Sequence, residues 1–246
     1  MLSTLADNLQ AVETRIQSAV SNSGRVAGDV ALLPVSKSAD LETSADLARL
    51  LAETRPVTLA ENRVDVLESK LEAFAALDLP PIAWHFIGHL QRNKARRVVR
   101  SCAVLHSVHS LRLLEALQRL AEEEDTRLEI FLQMGLTGES EKKGMKEAEL
   151  LDCMQVMPDL SRLDLAGLMA MGPRPDSNTP ARDVFARAAA LAHALETEHR
   201  ALFVRERCEL SMGMSHDLED AIAAGSHWLR VGSALFTPRE PQDQAV

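Results

Sequence analysis

Two hydrophobic periods take turns along the chain. Leu2, Leu5, Leu9, Val12, Ile16 and Val20 recur at helical spacing and predict an opening amphipathic helix that ends near Gly24. A short apolar run at 31–37 follows, then a helix over about 41–53 carrying Leu41, Ala45, Leu47, Ala48 and Leu51. The alternation then repeats: strand 56–62 and helix 64–77, strand 84–88 and a short basic helix 92–100, strand 102–107 and helix 111–123. Strand 128–134 leads through a polar loop, Thr137 to Gly144, to a helix at about 147–156. Strand 163–170 leads through the Pro/Gly/Asn stretch 172–180 to a long Ala-rich helix reaching about His199. Strand 208–211, helix 217–224 and strand 228–232 complete the series, and a polar tail with two prolines follows Phe236.

Eight strand–helix alternations without a break in composition call for a parallel sheet, and eight units in this length call for a closed one. The expected fold is α/β, a (β/α)8 TIM-type barrel with an extra N-terminal helix: one domain over 1–236 and a polar tail over 237–246. An open doubly wound sheet is the alternative, disfavoured because no G-x-G-x-x-G follows the first strand.

Composition narrows the field. The chain of 246 residues is 46% hydrophobic, enough for a sizeable core, yet has no run of 18 apolar residues. An acid interrupts the N-terminal segment where a signal peptide would hold an apolar core, so a cytoplasmic protein is expected. The net charge of −9 speaks against general nucleic-acid binding. Cys102, Cys153 and Cys208 lie far apart in apolar surroundings, with neither metal nor disulfide spacing. The chain has no tyrosine, which closes any mechanism that needs a phenol.

Candidate chemistry collects at the carboxyl ends of the strands, where barrels bind ligands. Lys37 ends the first strand; as an ordinary residue it is a solvated lysine, and as a functional one an amine aimed at the common rim. At the far end, Leu210-Ser-Met-Gly-Met-Ser215 and Leu229-Arg-Val-Gly-Ser233 follow strands seven and eight, where a phosphate commonly sits. Gly213 and Gly232 with the hydroxyls of Ser215 and Ser233 could close on phosphate oxygens; alternatively Ser215 is only a helix cap and Gly232 only a turn. A lysine amine and a phosphate cradle on one rim suit a cofactor bearing both an aldehyde and a phosphate, held as a Schiff base. Arg230 is the natural partner for a ring nitrogen of that ligand, with surface ion pairing as its other reading. Asn62 either meets the ring or caps a strand, and His85 beside Trp84 reads more readily as core. The run Arg92–Arg100, with five basic residues, is a solvated helix face or else an anion or partner patch, and Lys142-Lys143 is equally ambiguous.

These blocks carry a resemblance. Pro34-Val-Ser-Lys37, Glu61-Asn62, Trp84-His-Phe-Ile-Gly88 with Leu90-Gln91 and Asn93-Lys94, Gly167-Leu-Met-Ala170, Leu210–Ser215 and Arg230-Val-Gly232 resemble the signature blocks of the pyridoxal-phosphate homeostasis protein family. That family consists of single-domain relatives of the N-terminal barrel of alanine racemase. The resemblance implies that pyridoxal 5′-phosphate (PLP) is bound through Lys37. It implies Arg230 toward the pyridine nitrogen, with Asn62, Met214, Ser215, Gly232 and Ser233 around the ring and phosphate; His85 and Ser211 complete the set of expected cofactor-binding positions. Ala60, Arg63, His89, Ser233 and Thr237 depart from the family's usual glycine, aromatic, proline, threonine and glycine.

The implied function is vitamin B6 homeostasis, holding and handing over PLP without catalysis, so no catalytic residue and no metal ligand is assigned. Expected partners are PLP and PLP-dependent apo-enzymes, with no nucleic acid and no membrane, in a monomer or weak dimer. A PLP-dependent amino-acid racemase is the alternative. Racemase chemistry in the related family uses a tyrosine as second base, which here a histidine or cysteine would have to replace.

Overall fold

A computed structural model describes residues 2–26, 28–136, 144–174 and 176–237. The chain opens with α1 (Leu2–Asn22), and its apolar stripe Leu5, Leu9, Val12 and Ile16 is buried as the periodicity requires. Strand β1 (Ala31–Pro34) is followed by a 3₁₀ turn, Ser36–Ser38, and then by α2 (Leu41–Ala52), capped when Asp40 accepts from the Thr43 backbone N–H. Next come β2 (Val57–Glu61), α3 (Val64–Ala75), β3 (Ile82–Phe86), α4 (Ala95–Ser101), β4 (Val104–Val108) and α5 (Leu111–Glu123). The second half holds β5 (Leu128–Gln133), α6 (Glu147–Val156), β6 (Leu163–Met169), α7 (Ala181–His199), β7 (Glu209–Ser211), α8 (Leu218–Ala223), β8 (Trp228–Val231) and α9 (Ser233–Phe236).

The eight strands form one parallel sheet in the order β1-β8-β7-β6-β5-β4-β3-β2. A parallel bridge between Val35 and Ala60 brings β1 back to β2, so the sheet curls into a nearly closed barrel ringed by helices. Outward-facing side chains such as Leu32, Leu59 and Leu229 join the helices in the main core, while Leu33, Val35 and Ala60 pack inside the barrel. A second interior cluster holds Val104, Phe131, Ala166 and Met169.

Boundaries moved by a few residues where the sequence signal was weakest. The first strand stops at Pro34, and Lys37 belongs to the 3₁₀ turn rather than to the strand. The eighth helix starts at Leu218 after a turn over 215–217, so its cap position is Asp217 and Ser215 lies ahead of it. The basic run 92–100 divides into a 3₁₀ turn, Arg92–Lys94, and α4. Lys94, Arg96, Arg97 and Arg100 there are paired with carboxylates of α3 and of the end of α5 (Asp65, Glu68, Glu123 and Glu124), which favours the solvated-face reading. Lys142-Lys143 and the tail beyond Thr237 lie outside the described residues. Among the described residues no helix is long and apolar enough to cross a membrane.

Candidate functional site

The register of β1 against β8 sets the site. Leu33 pairs with Arg230 and Pro34 with Val231, so the chain leaving β1 passes directly beside the chain leaving β8. There a cavity of about 360 Å³ opens at the carboxyl ends of the strands, within the range of small-molecule sites. Lys37, Asn62, Met214, Ser215, Arg230, Gly232 and Ser233 line it, together with Val35, Ile87, Gly88, Met169, Met171 and His216. Seven of the nine positions singled out in the sequence thus meet at one opening. A larger hollow of about 580 Å³ lies at the opposite end, but its charged groups are already engaged: Arg55 pairs with Glu13, and Arg25 donates to the carbonyls of Ile222 and Ser226.

Arg230 is buried at the cavity floor. Its Nη1 donates to Ser211 O at 2.5 Å and Ser211 Oγ at 2.9 Å, and its Nη2 to Ala170 O at 2.9 Å and Met171 Sδ at 3.5 Å. Every one of these acceptors is uncharged. Burial therefore pulls the guanidinium down to about 10, partly countered by the field of Asp217. It still carries its proton near neutrality, leaving a positive charge at the cavity floor with no contacting carboxylate among the described residues.

His85 and Ser211 stand behind the cavity rather than on its wall. His85 Nδ1 lies 2.9 Å from His106 Nε2, and His106 Nδ1 lies 2.8 Å from Ser211 Oγ, which accepts from Arg230. His106 stacks on Phe131 at 4.4 Å between ring centroids. Burial pushes His85 down to about 3, with Arg205 adding to the effect, and His106 lies well below the ordinary histidine value for the same main cause. Both rings are neutral in the fold. The sequence reading missed His106; period-2 alternation in β4 places it inward, but nothing in the sequence pairs it with His85.

The loop after β7 is tied down at several points. Gly213 has φ +94°, and a Cβ there would come within 2.6 Å of Ala221 Cβ and 2.9 Å of Leu229 Cδ2, so only glycine fits. Met214 N donates to Asp217 Oδ1 at 2.6 Å, and Ala234 N, in the last short helix, donates to Ser215 Oγ at 3.2 Å. Arg15 of α1 reaches Ser215 O at 3.2 Å and also pairs with Glu219. The hold of Arg15 and Asp217 on this loop was not legible in the sequence, because their partners lie on other elements or in an irregular turn. Gly88 lets β3 close over β2: a Cβ there would sit 2.0 Å from Asn62 O. His89 packs its ring on His109 at 4.2 Å.

The Lys37 turn has its own support. Glu61 and Lys70 are buried and paired at 2.6 Å, and Ser36 joins them. Among the cysteines, burial pushes the Cys102 and Cys153 thiols up to about 12, and Cys208 rises too for the same main cause, so none is a thiolate near neutrality. Among the described residues no group of three or more histidine, cysteine or acidic side chains could hold a metal ion.

The family model of the alanine racemase N-terminal domain matches residues 5–240, nearly the whole barrel. A pyridoxal phosphate homeostasis protein of Pseudomonas aeruginosa is 34% identical over 245 residues, covering 97% of each chain. Its namesake from Escherichia coli (strain K12) is 33% identical over 240 residues, 97% of this chain and 98% of its own. The structure of PipY from Synechococcus elongatus PCC7942, with PLP bound, superposes with a TM-score of 0.79 at 30% identity, covering 94% of this chain and 99% of that one. The chain belongs to the pyridoxal phosphate homeostasis protein family and has the barrel of the alanine racemase N-terminal domain.

Proposed function

We propose that the chain binds PLP at the barrel mouth, holds it reversibly on Lys37 and serves the cell's vitamin B6 pool as a carrier rather than as an enzyme. The observation that carries this reading is the meeting of Lys37 with Arg230, Ser215, Gly232 and Ser233 around one cavity. The donor set suits the cofactor. A buried guanidinium with no contacting carboxylate among the described residues favours an electron-rich ring atom, and Val35, Ile87 and the methionines offer an apolar bed for a flat ring. The cofactor supplies an aldehyde, which the Lys37 amine attacks with loss of water to give a carbon–nitrogen double bond. Ser215, Gly232 and Ser233 are assigned to the phosphate, Asn62 and Met214 to the ring edge, and Arg230 to the ring nitrogen. Ser211 and His85 act behind Arg230. The relatives named for homeostasis and the PLP bound to PipY support the assignment.

Absence of turnover is supported by two features. Arginine has only donors, so at a ring nitrogen it disfavours the protonated ring that would draw electrons from a substrate carbon. The chain also offers no tyrosine, and its buried thiols stay protonated, so His216 is the one titratable replacement for a second base among the described cavity residues. A cytoplasmic location, hand-over to apo-enzymes and a monomer or weak dimer belong to the same proposal. Protein incubated with PLP should turn yellow and show a band of the imine type, which Lys37→Ala abolishes. A colourless wild type would remove the reading.

A further inference from the structure

Backbone pairing is sparse at the seam that bears Lys37. Ala31 N donates to His227 O at 2.7 Å and Val35 N to Val231 O at 2.8 Å, so the odd positions of β1 serve β8. In a parallel ladder the even positions then face β2, and there Pro34 has no N–H to give. The backbone pairing of β1 with β2 is accordingly reduced to the single bridge Val35↔Ala60.

Side chains take over one residue further on. Lys70, reaching in from α3, donates to Ser36 O at 2.7 Å and to Glu61 Oε1 at 2.6 Å, and Ser36 Oγ donates to the same carboxylate oxygen at 2.7 Å. All three residues are buried, at 0% exposure for Ser36 and Glu61 and 2% for Lys70. A buried ion pair is a poor source of stability compared with apolar packing of the same volume, so its presence asks for another role. It grips both the carbonyl and the hydroxyl of the residue immediately before Lys37.

We propose that Glu61 and Lys70 are positioning residues for Lys37: their ion pair pins the 3₁₀ turn across the under-bonded β1–β2 seam and holds the Lys37 amine at the cavity. The pair also keeps the Lys70 amine committed to two acceptors, so carbonyl capture goes to Lys37. The proposal rests on the function given above for Lys37, but the turn itself can be tested without PLP.

The decisive variant is Lys70→Met with Glu61→Gln, which removes both charges and leaves neither one buried alone. Three quantities are to be measured: the rate of imine formation with PLP, the affinity for pyridoxine 5′-phosphate (the same ring and phosphate without the aldehyde), and the rate at which limiting acetic anhydride labels Lys37 relative to the exposed Lys146. Capture and relative labelling of Lys37 should both change at least fivefold, capture downward, while the affinity for the alcohol analogue stays within twofold. Ser36→Ala, a milder change that keeps the ion pair, should move both rates in the same sense by a smaller factor and covers the case in which the double variant does not fold. Unchanged labelling and capture in a folded variant would overturn the proposal. Wild-type protein that never captures PLP while the labelling of Lys37 still responds would overturn the function and leave the clamp standing.

Discussion

Arg230 shows how one residue fixes what can be asked of the site. Its guanidinium is satisfied by Ala170 O, Ser211 O and Ser211 Oγ in a fully buried setting, so Arg230→Glu would place an anion against carbonyl oxygens and is expected to unfold the barrel. Arg230→Gln is the informative change: PLP retention should fall at least tenfold with the fold kept, measured by dialysis and absorbance. Ser215→Ala removes a single hydroxyl that also accepts from Ala234 N, and a loss of about 1 kcal/mol, roughly fivefold in affinity, is expected. Unchanged affinity in both variants would refute the assigned geometry. The histidine pair behind Arg230 answers to pH. An unfolded histidine titrates near 6.5, whereas folded His85 stays neutral down to about 3. The unfolded chain therefore binds protons that the fold refuses, and this share of stability, complete above pH 6.5, drains away as pH falls toward 3. Between pH 7.5 and 5 the loss should reach about 2 kcal/mol for this one residue. His85→Gln should flatten the fall in urea midpoint over that range; an unaltered slope would show that His85 titrates normally in the fold.

At the scale of elements, the strands were legible and their ends were not. The run 31–37 reads as one strand because apolar residues continue to Val35, yet Pro34 ends the ladder and Ser36 turns inward to meet Glu61 and Lys70. Lys70 could not be read as part of the site, since on a helix a lysine between Ser69 and Leu71 looks like any surface charge. The loop after β7 was the reverse case: Gly213 and Ser215 stood out in the sequence, and the structure supplies the reason, a positive φ packed against Ala221 and Leu229. Gly213→Ala combines left-handed strain with a close contact and should cost about 2 kcal/mol or more in a urea unfolding series. Because Arg230 N donates to Gly213 O at 2.9 Å, the same change should weaken PLP retention beyond what the lost stability explains. Equal retention by variant and wild type would separate this loop from the site.

For the whole molecule, eight repeats of strand and helix and the placement of polar groups at one set of strand ends made the barrel readable, and with it the face where the cavity opens. What stayed hidden was the interior: His85, His106 and Ser211 form a chain across three strands, and such a contact follows only from closure. Closure also brings the first strand beside the last, so that Lys37 and the loops after β7 and β8 share one opening. If the barrel is a carrier, incubation with L- or D-alanine and PLP should leave each enantiomer unchanged by chiral chromatography. Turnover that depends on both Lys37 and His216 would make it an enzyme. The most direct measurement is borohydride reduction of the protein equilibrated with PLP, followed by peptide mass mapping. A single phosphopyridoxyl adduct on the peptide bearing Lys37 is the expected result; adducts scattered over exposed lysines, with Lys37 unmodified, would contradict the account.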